Sequence, residues 1–151
     1  MNTRQADAVA LAEAIAKGGA SLCKDVEVVL FPPAPWLSTV AEGLTGSDIG
    51  LGGQDVSPHE DGAYTGQISA GMLVNAGCDH VLVGHSERRH GLAETDALLN
   101  TKVEAGLKAG LSVLLCIGET LAEHDAGQTA SVVEAQLRGS LAGVASSAIS
   151  G

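Results

Sequence analysis

His85 is the residue of this sequence best placed for electrophilic or acid–base chemistry. It follows an apolar run at residues 81–83 and Gly84, and the polar segment 86–89 comes directly after it. In an α/β protein this pattern puts a polar side chain at the carboxyl end of a strand, facing a crevice. A short helix beginning at Ser86 would point its free N–H groups toward His85, and its positive end disfavours imidazolium. We therefore expect a neutral histidine that can donate a hydrogen bond to a substrate oxygen; an ordinary surface histidine is the alternative.

The pattern of apolar residues predicts the elements that would hold this histidine. Four short apolar runs predict strands at residues 26–31, 48–53, 80–83 and 112–117. Helical spacing predicts five helices, at 3–17, 37–44, 70–76, 96–107 and 130–144, the last two capped by Thr95 and Thr129. Residues 119–126 are interpreted as a short polar turn or helix. Strands that alternate with helices predict an α/β fold with a parallel sheet.

Composition narrows the possible partners. The net charge of −10 argues against nucleic acid and against an anionic membrane. We find neither a run of about 18 apolar residues nor a basic-then-apolar leader, so we expect a soluble, cytoplasmic protein. Cys23, Cys78 and Cys116 are odd in number and far apart, so they predict buried free thiols and no metal site. No cofactor-binding motif is found; the glycines at 50, 52 and 53 are interpreted as points of close backbone approach.

Four motifs resemble those of the triosephosphate isomerases, in that family's order and at about its spacing. They are Gly-His-Ser-Glu-Arg-Arg at 84–89, the loop at 54–66, Phe-Pro-Pro-Ala-Pro-Trp-Leu at 31–37, and Cys-Ile-Gly-Glu-Thr-Leu at 116–121. The resemblance implies a TIM (β/α)8 barrel, which needs about 250 residues when complete. We therefore expect residues 1–151 to form a single truncated domain with about four parallel strands and five helices, a partial barrel that is open rather than closed.

The resemblance also implies roles for individual residues. His85 matches the family's electrophile, Ser86 matches its neighbour in the pocket, and Glu87 matches a glutamate that bonds the catalytic lysine. Thr65 matches the tip of a loop that enters the neighbouring subunit; with Gln54, Tyr64 and Gly66 it is the expected interface. Arg88 and Arg89 match structural residues, and adjacent arginines are also expected to form ion pairs. The implied ligand is a triose phosphate, without a cofactor.

Other parts of the family's machinery have no counterpart in these 151 residues. Neither the Asn-x-Lys motif nor the Tyr-Glu-Pro-Val-Trp segment with the catalytic base has a match. The lysines of this sequence all lie in predicted helices or in a turn, so none takes the place of the lysine in the first motif: Lys17, Lys24, Lys102 and Lys108. Three carboxylates near strand ends could substitute as the base, although solvated loop or cap residues are the preferred interpretation: Glu87, Glu94 and Glu119.

Three hypotheses follow. The first is a truncated homologue that keeps the electrophile and has little or no isomerase activity alone. The second is an active isomerase completed by oligomerisation or by a separate fragment. The third is a non-catalytic assembly module that uses the 54–66 loop. Under each of them the two exposed edges of an open sheet favour a homo-oligomer, most simply a two-fold dimer.

Overall fold

A single parallel sheet of four strands organises the molecule. The computed structural model describes residues 2–19 and 26–149. Its strands follow the chain in the order β1-β2-β3-β4, and all three neighbouring pairs are parallel. They are β1 (Val29–Leu30), β2 (Gly50–Gly53), β3 (His80–Val83) and β4 (Ser112–Leu115). The predicted sheet is confirmed: β3 has the predicted bounds, whereas β1, β2 and β4 are shorter than predicted.

Seven α-helices are found in the described part of the chain. They are α1 (Gln5–Gly19), α2 (Leu37–Gly43), α3 (Ala70–Asn75), α4 (Ser86–Gly91), α5 (Asp96–Lys108), α6 (Leu121–Asp125) and α7 (Thr129–Ser140). Five of them are the predicted helices, while α4 and α6 are the short helices expected after His85 and within residues 119–126. Single turns of 3-10 helix lie at Ala34–Trp36 and Ser146–Ala148.

Capping side chains define several helix starts. The hydroxyl of Thr95 accepts the backbone N–H of Leu98, as predicted for the start of α5. The predicted cap at Thr129 is wrong, because Thr129 is already the first helical residue of α7. Its hydroxyl instead donates to the Glu119 carboxylate at 2.9 Å, and this contact links α7 to the loop that follows β4.

The hydrophobic core lies between the sheet and the helices. Val81 and Val83 of β3 are fully buried, as are Leu99 of α5 and Leu73 of α3. Burying one such side chain contributes about 1.5–3 kcal/mol relative to leaving it in water. The opposite face of the sheet is less covered, and Leu114 of β4 is 39% exposed.

The glycines of β2 allow neighbouring side chains to approach closely, as the sequence indicated. A Cβ added to Gly52 would lie 2.1 Å from Cε1 of Phe31, and one added to Gly53 would lie 2.8 Å from Leu73. The second strand is therefore glycine-rich because two side chains occupy the space next to its backbone.

The thiols differ in burial. Cys78 is a buried free thiol, as predicted, and burial raises its pKa to about 11. Cys116 is only half-buried, and Cys23 lies outside the described residues. None of the helices described in the structure has both the length and the apolar composition needed to cross a bilayer.

Candidate active site

An open crevice lies where the carboxyl ends of the strands meet. Its volume is about 340 Å³. Residues that follow β1, β2 and β3 line it, together with one residue of β3: Phe31, Gln54, Asp55, Leu82, His85, Glu87 and Arg88. Parallel strands bring these residues together because all their carboxyl ends lie at one edge of the sheet.

His85 occupies the N-cap position of α4, directly beyond β3. Its side chain is 46% exposed, and Nδ1 accepts the backbone N–H of Glu87 at 3.3 Å. A neutral imidazole has one donor and one acceptor nitrogen, so this bond leaves the proton on Nε2. The ring can therefore present an N–H donor to the crevice that it lines.

The backbone before His85 requires glycine. Gly84 has φ +78°, in the left-handed region that residues with a Cβ disfavour. An added Cβ would also lie 2.9 Å from Leu99 and 3.2 Å from the carbonyl oxygen of Cys116. Gly84 thus sets the direction in which the chain leaves β3, and with it the position of His85.

Glu87 and Ser86 lie in the first turn of α4. The carboxylate of Glu87 is 80% exposed, 3.8 Å from Nδ1 of His85, and contributes to the crevice. Ser86 is exposed, and it is not among the residues that line the crevice.

A cluster of four charged side chains supports one wall of the crevice. Lys102 Nζ lies 2.7 Å from Asp55 and 2.6 Å from Glu94, and Arg88 contacts the same two carboxylates at 2.8 and 2.7 Å. The side chains of Lys102 and Glu94 are 4% and 6% exposed. Glu94 is therefore buried, and its interpretation as a solvated residue is wrong. Two cations compensate the charge that is buried with it.

One feature of the sequence indicates this cluster. Lys102 lies three residues after Leu99, on the apolar side of α5, where an unpaired ammonium group would be costly. A lysine in that position predicts a buried carboxylate partner. The sequence does not indicate which carboxylate this is; in the structure the partners are Asp55 and Glu94.

The two acids of the cluster respond differently to their surroundings. Burial raises the pKa of Asp55 and outweighs the opposing effect of Lys102 and Arg88. For Glu94, burial also favours the neutral acid, but hydrogen bonds from Arg88 and Lys102 prevail and hold its pKa below the usual value.

Arg89 joins the ends of two strands to two helices. Its guanidinium donates to the carbonyl oxygens of Gly84 and Cys116, at 2.9 and 3.1 Å, and pairs with Asp96 at 2.6 Å. Ser140 of α7 donates to the same Asp96 oxygen. The ion-pair roles predicted for Arg88 and Arg89 are confirmed.

The loop after β2 carries the residues proposed for an interface. Gln54 donates to the carbonyl oxygen of Phe31 at 2.8 Å and so belongs to the base of the loop. Tyr64 stacks on His59 with a centroid distance of 4.0 Å, and Thr65 and Gly66 are exposed beside it. Within residues 2–19 and 26–149, no three His, Cys, Asp or Glu side chains converge in a way that could hold a metal ion.

Comparison with known proteins places this arrangement in a family. A sequence model described as triosephosphate isomerase matches residues 1–150. The chain belongs to the triosephosphate isomerase family. Its resemblance to that family, inferred from four motifs, is thereby confirmed.

Individual relatives define how much of a triosephosphate isomerase the chain covers. The triosephosphate isomerase of Geobacter metallireducens is 50% identical over 121 residues, which are 80% of this chain and 48% of the relative. That of Nitratidesulfovibrio vulgaris is 50% identical over 130 residues, which are 85% of this chain and 52% of the relative. The chain spans about half the length of these curated relatives.

A solved structure supports the fold directly. The crystal structure of triosephosphate isomerase from Bartonella henselae superposes with a TM-score of 0.88 at 41% identity, covering 96% of this chain and 60% of the other. The predicted fold class, an open partial TIM barrel with four parallel strands, is confirmed.

Proposed function

We propose that this chain supplies the electrophilic part of a triosephosphate isomerase site, with His85 polarising the carbonyl of glyceraldehyde 3-phosphate or dihydroxyacetone phosphate. The observation that supports this role is the hydrogen bond from Glu87 N–H to Nδ1, which directs the ring proton to Nε2 in a crevice at the strand ends. An N–H donor held in place before the reaction stabilises the negative charge that develops on the substrate oxygen.

Residues 1–151 alone should turn over little substrate. Each lysine that the structure describes is already paired: Lys17 with Glu13, Lys102 with Asp55 and Glu94, and Lys108 with Glu60. Of the crevice carboxylates, Asp55 is bound to Lys102 and Arg88, whereas Glu87 projects into solvent. General-base catalysis contributes about 10²–10⁴-fold, so a site without a positioned base is expected to be slow.

Two measurements on the 151-residue chain test the role of His85. Isomerase turnover is assayed over a wide range of protein concentration, for the wild type, His85→Gln and the control His90→Gln, which alters an exposed histidine of α4. In parallel, the imidazole resonances are followed by NMR during titration with dihydroxyacetone phosphate. We expect at most weak turnover, lost in His85→Gln and kept in His90→Gln, and a ligand-dependent shift of the His85 resonances.

The results separate the proposal from its alternatives. A shift of the His90 resonances without one at His85, or turnover that survives His85→Gln, would overturn the assignment of the electrophile. Turnover that rises with protein concentration and requires His85 would favour an isomerase site completed by assembly.

A homodimer is the second part of the proposal. The sheet edges at β1 and β4 and the exposed residues Tyr64, Thr65 and Gly66 favour association of two copies. If the loop served assembly alone, without catalysis, His85→Gln would leave the association constant unchanged and no ligand would perturb the ring.

A further inference from the structure

His80 stands at the end of the sheet opposite to the crevice. It is the first residue of β3 and is 8% exposed. Its Nδ1 lies 2.8 Å from Oδ1 of Asp79, and its Nε2 lies 3.1 Å from Oε1 of Glu27. Both ring nitrogens of a buried histidine thus face carboxylate oxygens.

This geometry satisfies only one protonation state of the ring. A carboxylate accepts hydrogen bonds and donates none, whereas a neutral imidazole has a single donor. In the neutral ring, one nitrogen lone pair would therefore face a carboxylate oxygen at hydrogen-bond distance. The imidazolium form donates to both carboxylates, and such charge-assisted bonds are the stronger kind.

Asp79 is held in its ionised form by the same arrangement. Burial opposes ionisation, but hydrogen bonds from His80 and from the backbone N–H of Leu51 outweigh it and keep the pKa of Asp79 below its usual value. The side chains of Glu27 and Asp79 are 73% and 61% exposed, but Asp79 is also held by the N–H of Leu51, so Glu27 is the carboxylate that can turn away from the ring into water.

The contacts of His80 connect three strands. Glu27 lies just before β1, Asp79 lies just before β3, and Asp79 also accepts the N–H of Leu51 in β2 at 2.9 Å. The edge strand β1 has only two residues, and the Val28 carbonyl before it accepts the N–H of Gly50 at 2.9 Å. A contact from Glu27 to His80 therefore adds substantially to the attachment of this edge.

In the described part of the chain, Glu27 and Asp79 are the two carboxylates within 4.0 Å of a nitrogen of this ring. In β2 the register partner of His80 is Gly52, and the ring itself lies beside Gly50, where an added Cβ would be 3.3 Å from Nδ1. On the other side, the register partner in β4 is Ser112, which is uncharged. Glu27 and Asp79 are thus the two groups that would sense the proton.

We propose that His80 is a proton-dependent clasp that fastens the edge strand β1 to the sheet through Glu27. Loss of the proton removes one of the two donors. The bond to the solvated Glu27 is then released, because Asp79 keeps its place through Leu51 N–H. The attachment of β1 is therefore strongest when the ring carries both protons, and it weakens as rising pH removes one of them.

Amide hydrogen exchange of Gly50 measures this attachment, since its N–H is bonded to the carbonyl of Val28. In the wild-type chain, protection relative to the intrinsic exchange rate should fall about two- to fivefold from pH 5.5 to pH 8, the scale of a partly exposed ion pair. Glu27→Gln should abolish this change, because an amide can accept from the protonated ring and donate to the neutral one. The control Glu104→Gln removes an equal charge at an exposed position of α5 and should retain it.

A second measurement detects the protonation state of the His80 ring directly. Nitrogen-15 resonances of the His80 imidazole in the wild-type chain should show both nitrogens protonated at pH 5.5. A single neutral tautomer at that pH overturns the clasp, and so does Gly50 protection that is independent of pH in the wild type or equally dependent on pH in Glu27→Gln.

Discussion

Lys102 is the residue on which the wall of the crevice depends most. Its ammonium group connects Asp55, which follows β2, to Glu94, which precedes α5, and it is almost fully buried. Removing one partner of a buried ion pair leaves an uncompensated charge, which costs far more than the loss of an exposed pair. The cluster therefore holds the segments after β2 and before α5 in place beside the crevice, which Asp55 and Arg88 line together with His85.

Lys102→Met should lower the free energy of unfolding by about 3 kcal/mol. The matched change Lys108→Met removes an exposed pair with Glu60, in which the two side chains are 77% and 83% exposed, and should cost far less because water screens both charges. Urea denaturation of both variants measures the difference. Equal losses would show that burial of the Lys102 pair does not determine its contribution to the free energy of unfolding.

The opposite pKa shifts of Glu94 and Asp55 predict how the free energy of unfolding changes as the pH falls. Glu94, with its lowered pKa, contributes stability that is present at neutral pH and lost as the acid protonates on acidification. Asp55, with its raised pKa, binds its proton more readily in the folded state, so it partly offsets this loss as the pH falls.

Asp55→Asn should therefore steepen the fall of the unfolding free energy between about pH 5 and pH 3, because the offset is removed. Glu94→Gln should make the same fall shallower. Denaturant titrations of the three proteins at several pH values give the slopes, and parallel slopes would contradict the assigned directions.

Among the elements, the connection from β3 to α4 determines where His85 is placed. Gly84 combines a left-handed backbone with contacts to Leu99 and to the carbonyl of Cys116. Gly110, between α5 and β4, has a similar φ of +81°, but among the described residues other than its chain neighbours no atom lies within 4 Å of an added Cβ. Substitutions at these two positions therefore distinguish the effect of backbone strain from the effect of crowding.

Gly110→Ala should destabilise the protein by about 1 kcal/mol through strain alone. Gly84→Ala should cost about 2–4 kcal/mol, because crowding is added to the strain. It should also shift the His85 ring resonances, which Gly110→Ala should leave in place. Thermal unfolding and NMR spectra test both expectations, and equal costs would refute the role of crowding.

For the whole molecule, charge and exposed edges act in opposite directions. The net charge of −10 repels a second copy, while the edges β1 and β4 and the exposed side chains of Leu114 and Ile117 favour contact. Salt screens the repulsion and leaves apolar contact largely unaffected.

The proposed dimer should therefore form more tightly as salt is added. Sedimentation equilibrium should give about twice the chain mass of 15.1 kDa at high micromolar concentration, with a dissociation constant that falls several-fold from about 10 mM to 150 mM ionic strength. A monomer at every salt concentration would contradict the proposal.

The sequence alone determined the four parallel strands, their helices, the position of His85 after β3 and the family of the chain, since these depend on local periodicity and short motifs. It did not determine that Glu94 is buried, that Lys102 pairs with Asp55, or that His80 lies between two carboxylates. The bond from Lys102 to Asp55 joins residues 47 positions apart, and Glu27 reaches His80 across a similar stretch of chain. Only the packing of α5 beside the strand ends, and of β1 beside β2 and β3, brings such charges within 3 Å or so and thereby decides which of them are compensated.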